Sequence, residues 1–341
     1  MNIERYAMID LHLHLDGSLS PQWLLEWAEK QAISLPTTDP TRLLSFISAP
    51  QDCSDLNQYL RSFEIPLAVL QSPQALTAAV THLIERLDQA QMLYAEIRFA
   101  PQLHTQKTMD QEQAVLAAIA GLQAVENCHS LFKVNLILCC MRGEDNQAEN
   151  HETVRLAQKY LGQGVVAIDL AGAEGLYPTA HYQTLFSEAV ALGVPFTLHA
   201  GEAAGADSVQ QALDFGATRI GHGVRAVESE AVVLQLIDRK TPLEMCPCSN
   251  LQTKTVASLS QYPLRHYLER GVVATVNTDN MTVSNTTVAH EFALLKRDYR
   301  LTNVEARQLV QNAVQAAFLC AEDKQILWEK VQQRWATANL C

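Results

Sequence analysis

Polar and apolar positions along this chain alternate between two rhythms. Short, nearly continuous apolar runs of strand length are separated by longer stretches whose apolar residues recur every three or four positions, the spacing of one helix face. The runs are MIDLHLHLDG (8–17), MLYAEIRFAP (92–101), KVNLILCCMR (133–142), VVAIDLAG (165–172), PFTLHAGE (195–202), RIGHGV (219–224), PLEMCPCSN (242–250) and VVATVNTDN (272–280). Each precedes a helical stretch, such as DQEQAVLAAIAGLQAVEN (110–127) or ENHETVRLAQKYL (149–161). Eight strands each followed by helix predict an α/β fold, a (β/α)8 TIM barrel whose parallel strands are buried on both faces.

Residues 20–90 interrupt this regularity. PQWLLEWAEKQ (21–31), LNQYLRSFEIPLAVL (56–70) and SPQALTAAVTHLIERLDQAQ (72–91) all read as helices, the last opened by Ser72 as N-cap and Pro73 in the first turn. A helical insertion directly after the first strand predicts a lid, with Leu56, Tyr59, Leu60 and Phe63 as an apolar stripe that either packs into the core or faces substrate. Two extra helices close the chain, the first carrying a capping box of Thr302 and Glu305. No linker or repeat divides residues 1–341, so one barrel domain is expected.

With 48% hydrophobic residues the chain can fill a large core, and a net charge of -12 argues against nucleic acid or anionic membrane as partner. Small molecules are the expected partners; the oligomeric state stays open. No signal-like run and no apolar stretch of about 18 residues is present, so a cytoplasmic protein is expected. The eight cysteines are scattered and Cys139 adjoins Cys140, which predicts reduced, mostly buried thiols. Cys246 and Cys248 lack the spacing of a metal pair and read as core.

In such a barrel the chemistry belongs at the C-terminal strand ends, and unusual polar residues gather there: His12, His14 and Asp16, then Gly172, His199 and Glu202, His222, and Asp279 with Asn280. The N-terminal halves of the strands, by contrast, read as nearly all aliphatic. His12 and His14 lie two residues apart, so in a strand both imidazoles point to one face. Joined by His199 and Asp279 they can complete a mononuclear site with a position open for water. The third and fourth strands end without a lysine that could bridge two ions, which favours a single metal.

The ordered motifs HLHLDG, DLAGAE, LHAGEAAG, GHGV, CPCSN and VNTDN resemble those of the adenosine deaminase family, across nearly the whole chain. The resemblance implies a metal-dependent aminohydrolase that converts adenosine and 2'-deoxyadenosine to inosine, 2'-deoxyinosine and ammonia in purine salvage. It implies one Zn2+ on His12, His14, His199 and Asp279. Glu202 would protonate purine N1, and His222 would position the attacking water and help deprotonate it. Gly172 would meet N3, Asp16 a ribose hydroxyl, and the Leu56, Tyr59, Leu60, Phe63 stripe would form the lid. Asp16 implies a nucleoside, since relatives acting on adenine carry Glu in that place. One departure stands out: the family pattern Asp-Asp-Pro reads Asp279, Asn280, Met281 here. An amide donates to purine N7 without a shared proton, so altered pH dependence or base selectivity is the expectation. The alternatives are a deaminase of another 6-aminopurine, adenine or a modified nucleoside, and a non-catalytic metal- or purine-binding barrel.

Overall fold

The computed structural model describes residues 6, 8–50, 52–125 and 131–337. Its framework is eight parallel strands: β1 (Ile9–His14), β2 (Tyr94–Phe99), β3 (Lys133–Met141), β4 (Val165–Ala171), β5 (Thr197–Ala200), β6 (Arg219–His222), β7 (Leu243–Met245) and β8 (Ala274–Val276). They hydrogen-bond in sequence order as two four-stranded sheets, β1 to β4 and β5 to β8. Single parallel bridges, Ile168 to Phe196 and Leu13 to Asp279, join the sheets at both seams and make the (β/α)8 barrel continuous.

The second seam holds by side chains where the ladder runs out. β8 is only three residues long, and beyond it Asn277 Oδ1 accepts from Leu11 N at 2.9 Å while Thr278 Oγ1 donates to Asp10 Oδ2 at 2.6 Å. Past these, Asp279 N donates to His12 O at 2.8 Å and His14 N to Asp279 O at 2.7 Å. The chain after β8 is thereby pinned against β1, which sets Asp279 between the two histidines of the first strand.

Two expectations change. Residues 246–250 do not extend β7: Pro247 occupies the first turn of a helix, Pro247–Gln252, because its ring suits that position and cannot donate to a ladder. Nor is the lower barrel aliphatic. Glu96, Arg98, Asp169, Arg219 and Glu244 all point inward and are at most 1% exposed.

After β1 come helices Pro21–Lys30, Pro40–Ile47, Leu56–Leu60 and Glu64–Val69, then Pro73–Gln89. The last packs on helix Gln111–Gln123 in the outer layer, so the segment that reaches the barrel mouth is Leu56–Val69. The expected helix over 110–127 is seen as Gln111–Gln123, its final residues Glu126 and Asn127 lying outside the described ones. Ser72 caps Pro73–Gln89 and Thr302 with Glu305 forms the capping box of Asn303–Ala316, both as expected. Six described cysteines are free thiols, Cys246 among the fully buried ones. Among the described residues no helix is long and apolar enough to cross a membrane.

Replacing Asn277 by Ala orphans the buried Leu11 N–H at the seam and should cost about 1–3 kcal/mol, read as a lowered midpoint in urea unfolding with the slope unchanged.

Candidate active site

Four donor atoms converge at the barrel's C-terminal end. His12 Nε2 and His199 Nε2 stand 3.1 Å apart, His14 Nε2 and His199 Nε2 3.3 Å, and Asp279 Oδ1 lies 3.3 Å from His14 Nε2 and 3.5 Å from His12 Nε2. Such contacts among histidine nitrogens make sense only with their protons accounted for. His12 Nδ1 donates to Glu244 Oε2 at 2.8 Å, and His199 Nδ1 donates to Asp169 Oδ2 at 2.9 Å. With the Nδ1 positions so engaged, the two Nε2 atoms are left facing each other with no carboxylate partner other than Asp279, an arrangement that is repulsive unless a cation lies between them. Three of the four spacings, 3.3, 3.3 and 3.5 Å, also fall in the range expected between ligand atoms held about 2.0–2.2 Å from one ion, roughly 3.3–3.6 Å.

The charges below agree with a divalent ion. Arg98 donates from Nη1 to Asp169 Oδ2 at 3.0 Å and from Nη2 to Glu244 Oε2 at 2.8 Å, so one guanidinium holds both carboxylates that orient the histidines. Arg219 Nε donates to Glu244 Oε1 at 2.6 Å, and its Nη2 pairs with Glu96. Two cations thus face three carboxylates, and Asp279 adds a further negative charge, an excess that a divalent cation would reduce. The set His12, His14, His199 and Asp279 fits one such metal ion.

His222 also lies within reach, since His12, His199, His222 and Asp279 offer ligand atoms within 4.8 Å of one another. Its tautomer argues for a different task. Asn250 Oδ1 accepts from Tyr262 Oη at 2.9 Å and from Cys246 N at 3.2 Å, which orients the amide so that Nδ2 donates to His222 Nδ1 at 3.0 Å. Neutral His222 must then carry its proton on Nε2, leaving no lone pair there for a metal. That Nε2 has no protein partner and stands 3.6 Å from Glu202 Oε2. Both His222 and Asp279 have φ of 61°, a left-handed conformation uncommon outside glycine and held here by the surrounding hydrogen bonds.

Glu202 lies deep in the mouth, and burial, reinforced by the charge of Asp279, pushes its carboxyl up to about 8. His222 goes the other way: burial, with His12 beside it, holds it well below the usual histidine range. Neutral acid and neutral imidazole are therefore the forms present at pH 7.

A cavity of about 260 Å³ opens over these groups. It is lined by every candidate from the sequence except His12, which lies in the floor beneath: His14, Asp16, Gly172, His199, Glu202, His222, Asp279 and Asn280 line the inner part, and Leu56, Tyr59, Leu60 and Phe63 the cover. Leu56 and Tyr59 are also buried against Val283, so the stripe is core on one side and pocket wall on the other. Gly172 has φ of 105°, a conformation strained for any other residue. Asp16 is buried, which raises its carboxyl to about 6. Asn280 Nδ2 donates to Tyr59 Oη at 3.0 Å, while its Oδ1 is packed so tightly over Gly17 that a Cβ there would come within 1.8 Å.

Asp169, Glu244, Arg98, Asn250 and Glu174 are the residues that the strand-end reading missed. For all but Glu174, which lies beyond β4, the signal was present as charged or amide groups inside otherwise buried runs, which must find partners.

A parallel eight-stranded barrel with three histidines, a carboxylate and a neutral buried acid at its mouth defines a metal-dependent hydrolase of the amidohydrolase type. The family model for adenosine deaminase matches residues 8–334, and the chain belongs to that family. It is 63% identical over 338 residues to an adenosine deaminase of Haemophilus ducreyi, covering 98% of both chains, and 40% identical to one of Enterococcus faecalis, again covering 98% of both. Among solved structures it is similar to an adenine deaminase from Arthrobacter aurescens (27% identity, TM-score 0.87, 97% of this chain and 99% of that one). It also resembles Arabidopsis ADAL complexed with IMP (25% identity, TM-score 0.85, 97% of each). The protein is a hydrolytic deaminase.

Glu244→Gln replaces the acceptor for His12 Nδ1–H and should weaken metal binding about 10- to 100-fold, with one equivalent still bound at saturation. Competition against a chromogenic chelator checks both figures.

Proposed function

We propose that this enzyme deaminates adenosine and 2'-deoxyadenosine hydrolytically, with one zinc ion held by His12, His14, His199 and Asp279. The observation that carries the reading is Glu202: a buried carboxyl raised to about 8, set at the same mouth as the convergent histidine nitrogens. Zinc, when bound, supplies a Lewis acid that lowers the pKa of water toward about 7.

The chain's own groups account for the remaining steps. As the water oxygen bonds to C6, the C6–N1 π pair moves to N1 and takes the proton of Glu202. Adding to the ring costs its aromaticity, and protonation of N1 in the same step lowers that cost. His222, donating from Nε2, orients the attacking oxygen; the tautomer selected by Asn250 favours this positioning over proton removal. Of the water's two protons, one passes by way of the Asp279 carboxylate to the amino group, so that C6–N breaks with its electron pair leaving as ammonia, and the other returns to Glu202 as the C6–OH becomes the C6 carbonyl of inosine. Gly172 would meet N3 through its backbone, Asp16 a ribose hydroxyl, and the remaining amide hydrogen of Asn280 would donate to N7. The apolar Leu56, Leu60 and Phe63 exclude bulk water.

A neutral nucleoside suits this pocket better than a nucleotide. Its one guanidinium, Arg142, is committed to Tyr177 O, Thr179 Oγ1 and His199 O, and Asp16 and Asp279 would repel phosphate. The test is loss of the adenosine absorbance band with metal-loaded protein, against a chelated control and adenine in parallel. Turnover of adenosine that chelation abolishes supports the reading; turnover of adenine alone would replace it with the free base as substrate.

Because Glu202 acts as an acid, kcat should be level below pH about 8 and fall as rising pH removes its proton. Glu202→Gln, which cannot give a proton, should lose about 10²- to 10⁴-fold in kcat with metal content unchanged. Asn280→Asp should retain adenosine turnover but add a second decline in kcat/KM with rising pH, because a carboxyl donates to N7 only while protonated. An identical pH profile and base preference would remove the role given to Asn280.

A further inference from the structure

Glu174, the last residue of DLAGAE, has no part in the steps above, yet it is among the most heavily hydrogen-bonded groups in the molecule. It lies just beyond β4 and is 1% exposed. Its Oε1 accepts from Gly201 N at 2.8 Å and from Ser208 Oγ at 2.5 Å. Its Oε2 accepts from three successive amides, Glu202 N at 3.0 Å, Ala203 N at 2.6 Å and Ala204 N at 2.9 Å. Five donors on one side chain leave neither oxygen free to carry a proton, so only the ionised carboxylate fits.

All of these donors but Ser208, which lies in the helix that follows, belong to the turn that leaves β5 with His199 at one end and Glu202 in its middle. Four consecutive N–H groups aimed at one point form a concave nest, a shape that backbone adopts around an anion. Here the anion is part of the protein. The other side of the same turn is held by Arg142, whose Nη2 donates to His199 O at 2.7 Å and to Thr179 Oγ1 at 2.9 Å; Thr179 Oγ1 is 2.7 Å from Ser208 Oγ. Carbonyl and amide ends of the turn are thus clamped separately, His199 by Arg142 and Glu202 by Glu174.

We propose that Glu174 is a positioning residue for deamination: its carboxylate templates the 201–204 turn, so that the Glu202 side chain meets N1 of the bound purine. This rests on the assignment of Glu202 as the proton donor. The charge of Glu174 acts in the same direction, being one of the groups, after burial and Asp279, that keep Glu202 protonated. The role is separable from the metal set, which depends on Asp169, Glu244 and Arg98 instead. A glutamine at 174 would keep the shape but turn an NH2 group toward amides that it cannot accept from, so the turn must shift.

The experiment compares wild type, Glu174→Gln, Glu202→Gln and the double variant for adenosine turnover, bound metal and inhibition by 1-deazaadenosine, whose ring has CH in place of N1. Expected for Glu174→Gln are a loss in kcat of about 10²-fold, an inhibition constant for 1-deazaadenosine within about twofold of wild type, and one equivalent of metal. On the Glu202→Gln background the same change should cost less than about threefold more, because both act through one proton transfer. If Glu174→Gln does not fold, Glu174→Asp keeps the charge but draws it back by one carbon, and a smaller kcat loss at unchanged 1-deazaadenosine inhibition is expected. An unchanged kcat, inhibition weakening in step with kcat, or fully multiplicative losses in the double variant would overturn the proposal. Wild-type turnover that survives Glu202→Gln intact would instead refute the role of Glu202, and this positioning role with it.

Discussion

Two buried hydrogen bonds, His12 Nδ1–H to Glu244 and His199 Nδ1–H to Asp169, fix which nitrogens face the barrel mouth. Without them either ring could protonate Nε2 and satisfy the other by an ordinary hydrogen bond, and the cluster would be an inert polar patch. Each carboxylate must stay ionised to hold its histidine, and each sits where water does not reach. Arg98 makes this tolerable by binding both, and Arg219 shares Glu244 with it while reaching Glu96. A buried charge that loses its partner costs about 3–5 kcal/mol, so these residues stand or fall as a unit. Their inward projection in place of an aliphatic barrel layer is what the site demands of the fold.

Above that floor the same residue type meets the opposite environment. Glu244 and Asp169 lie against guanidinium groups, and Glu244 is held well below the ordinary range despite a burial that pushes it up. Glu202, with no cation in hydrogen-bond contact and with Asp279 and Glu174 nearby, is pushed up to about 8. The barrel thus holds carboxylates that orient in its floor and, at its mouth, a carboxyl that can give a proton, separated by where the two arginines reach. Placing acid and ligand chemistry a few ångströms apart depends on this contrast.

The barrel was legible because parallel strands buried on both faces read as apolar runs, and the mouth was legible because histidines and acids interrupt those runs at one end. His12, His14, His199, Glu202, His222 and Asp279 could be named from position alone, and the structure brings them together. Three things were hidden. The pairing of Asp169 with His199 and of Glu244 with His12 crosses strands that are distant in sequence, and no local period encodes it. CPCSN read as strand because its apolar character masked a proline start; its helix is what brings Asn250 to His222. Glu174 looked like an ordinary loop acid, since four of the five donors it gathers come from a turn whose backbone, not its side chains, carries the signal.

The floor and the lid are not independent. Asp279 is followed directly by Asn280, whose amide donates to Tyr59 of the cover, and Tyr59 Oη lies 2.7 Å from Ser284 Oγ in the same post-β8 segment. That segment is stitched to β1 on both sides of Asp279 and covers Gly17 with the Asn280 carbonyl. A displacement of the cover that breaks the Tyr59 bond therefore frees an amide one residue from a candidate metal ligand whose φ of 61° leaves it little room to adjust. The geometry links the cover to the site below by a path of two residues. It also explains why the cover is built from a segment inserted after β1 and not from a remote loop: β1 and the end of β8 are the two strands whose seam carries His12, His14 and Asp279.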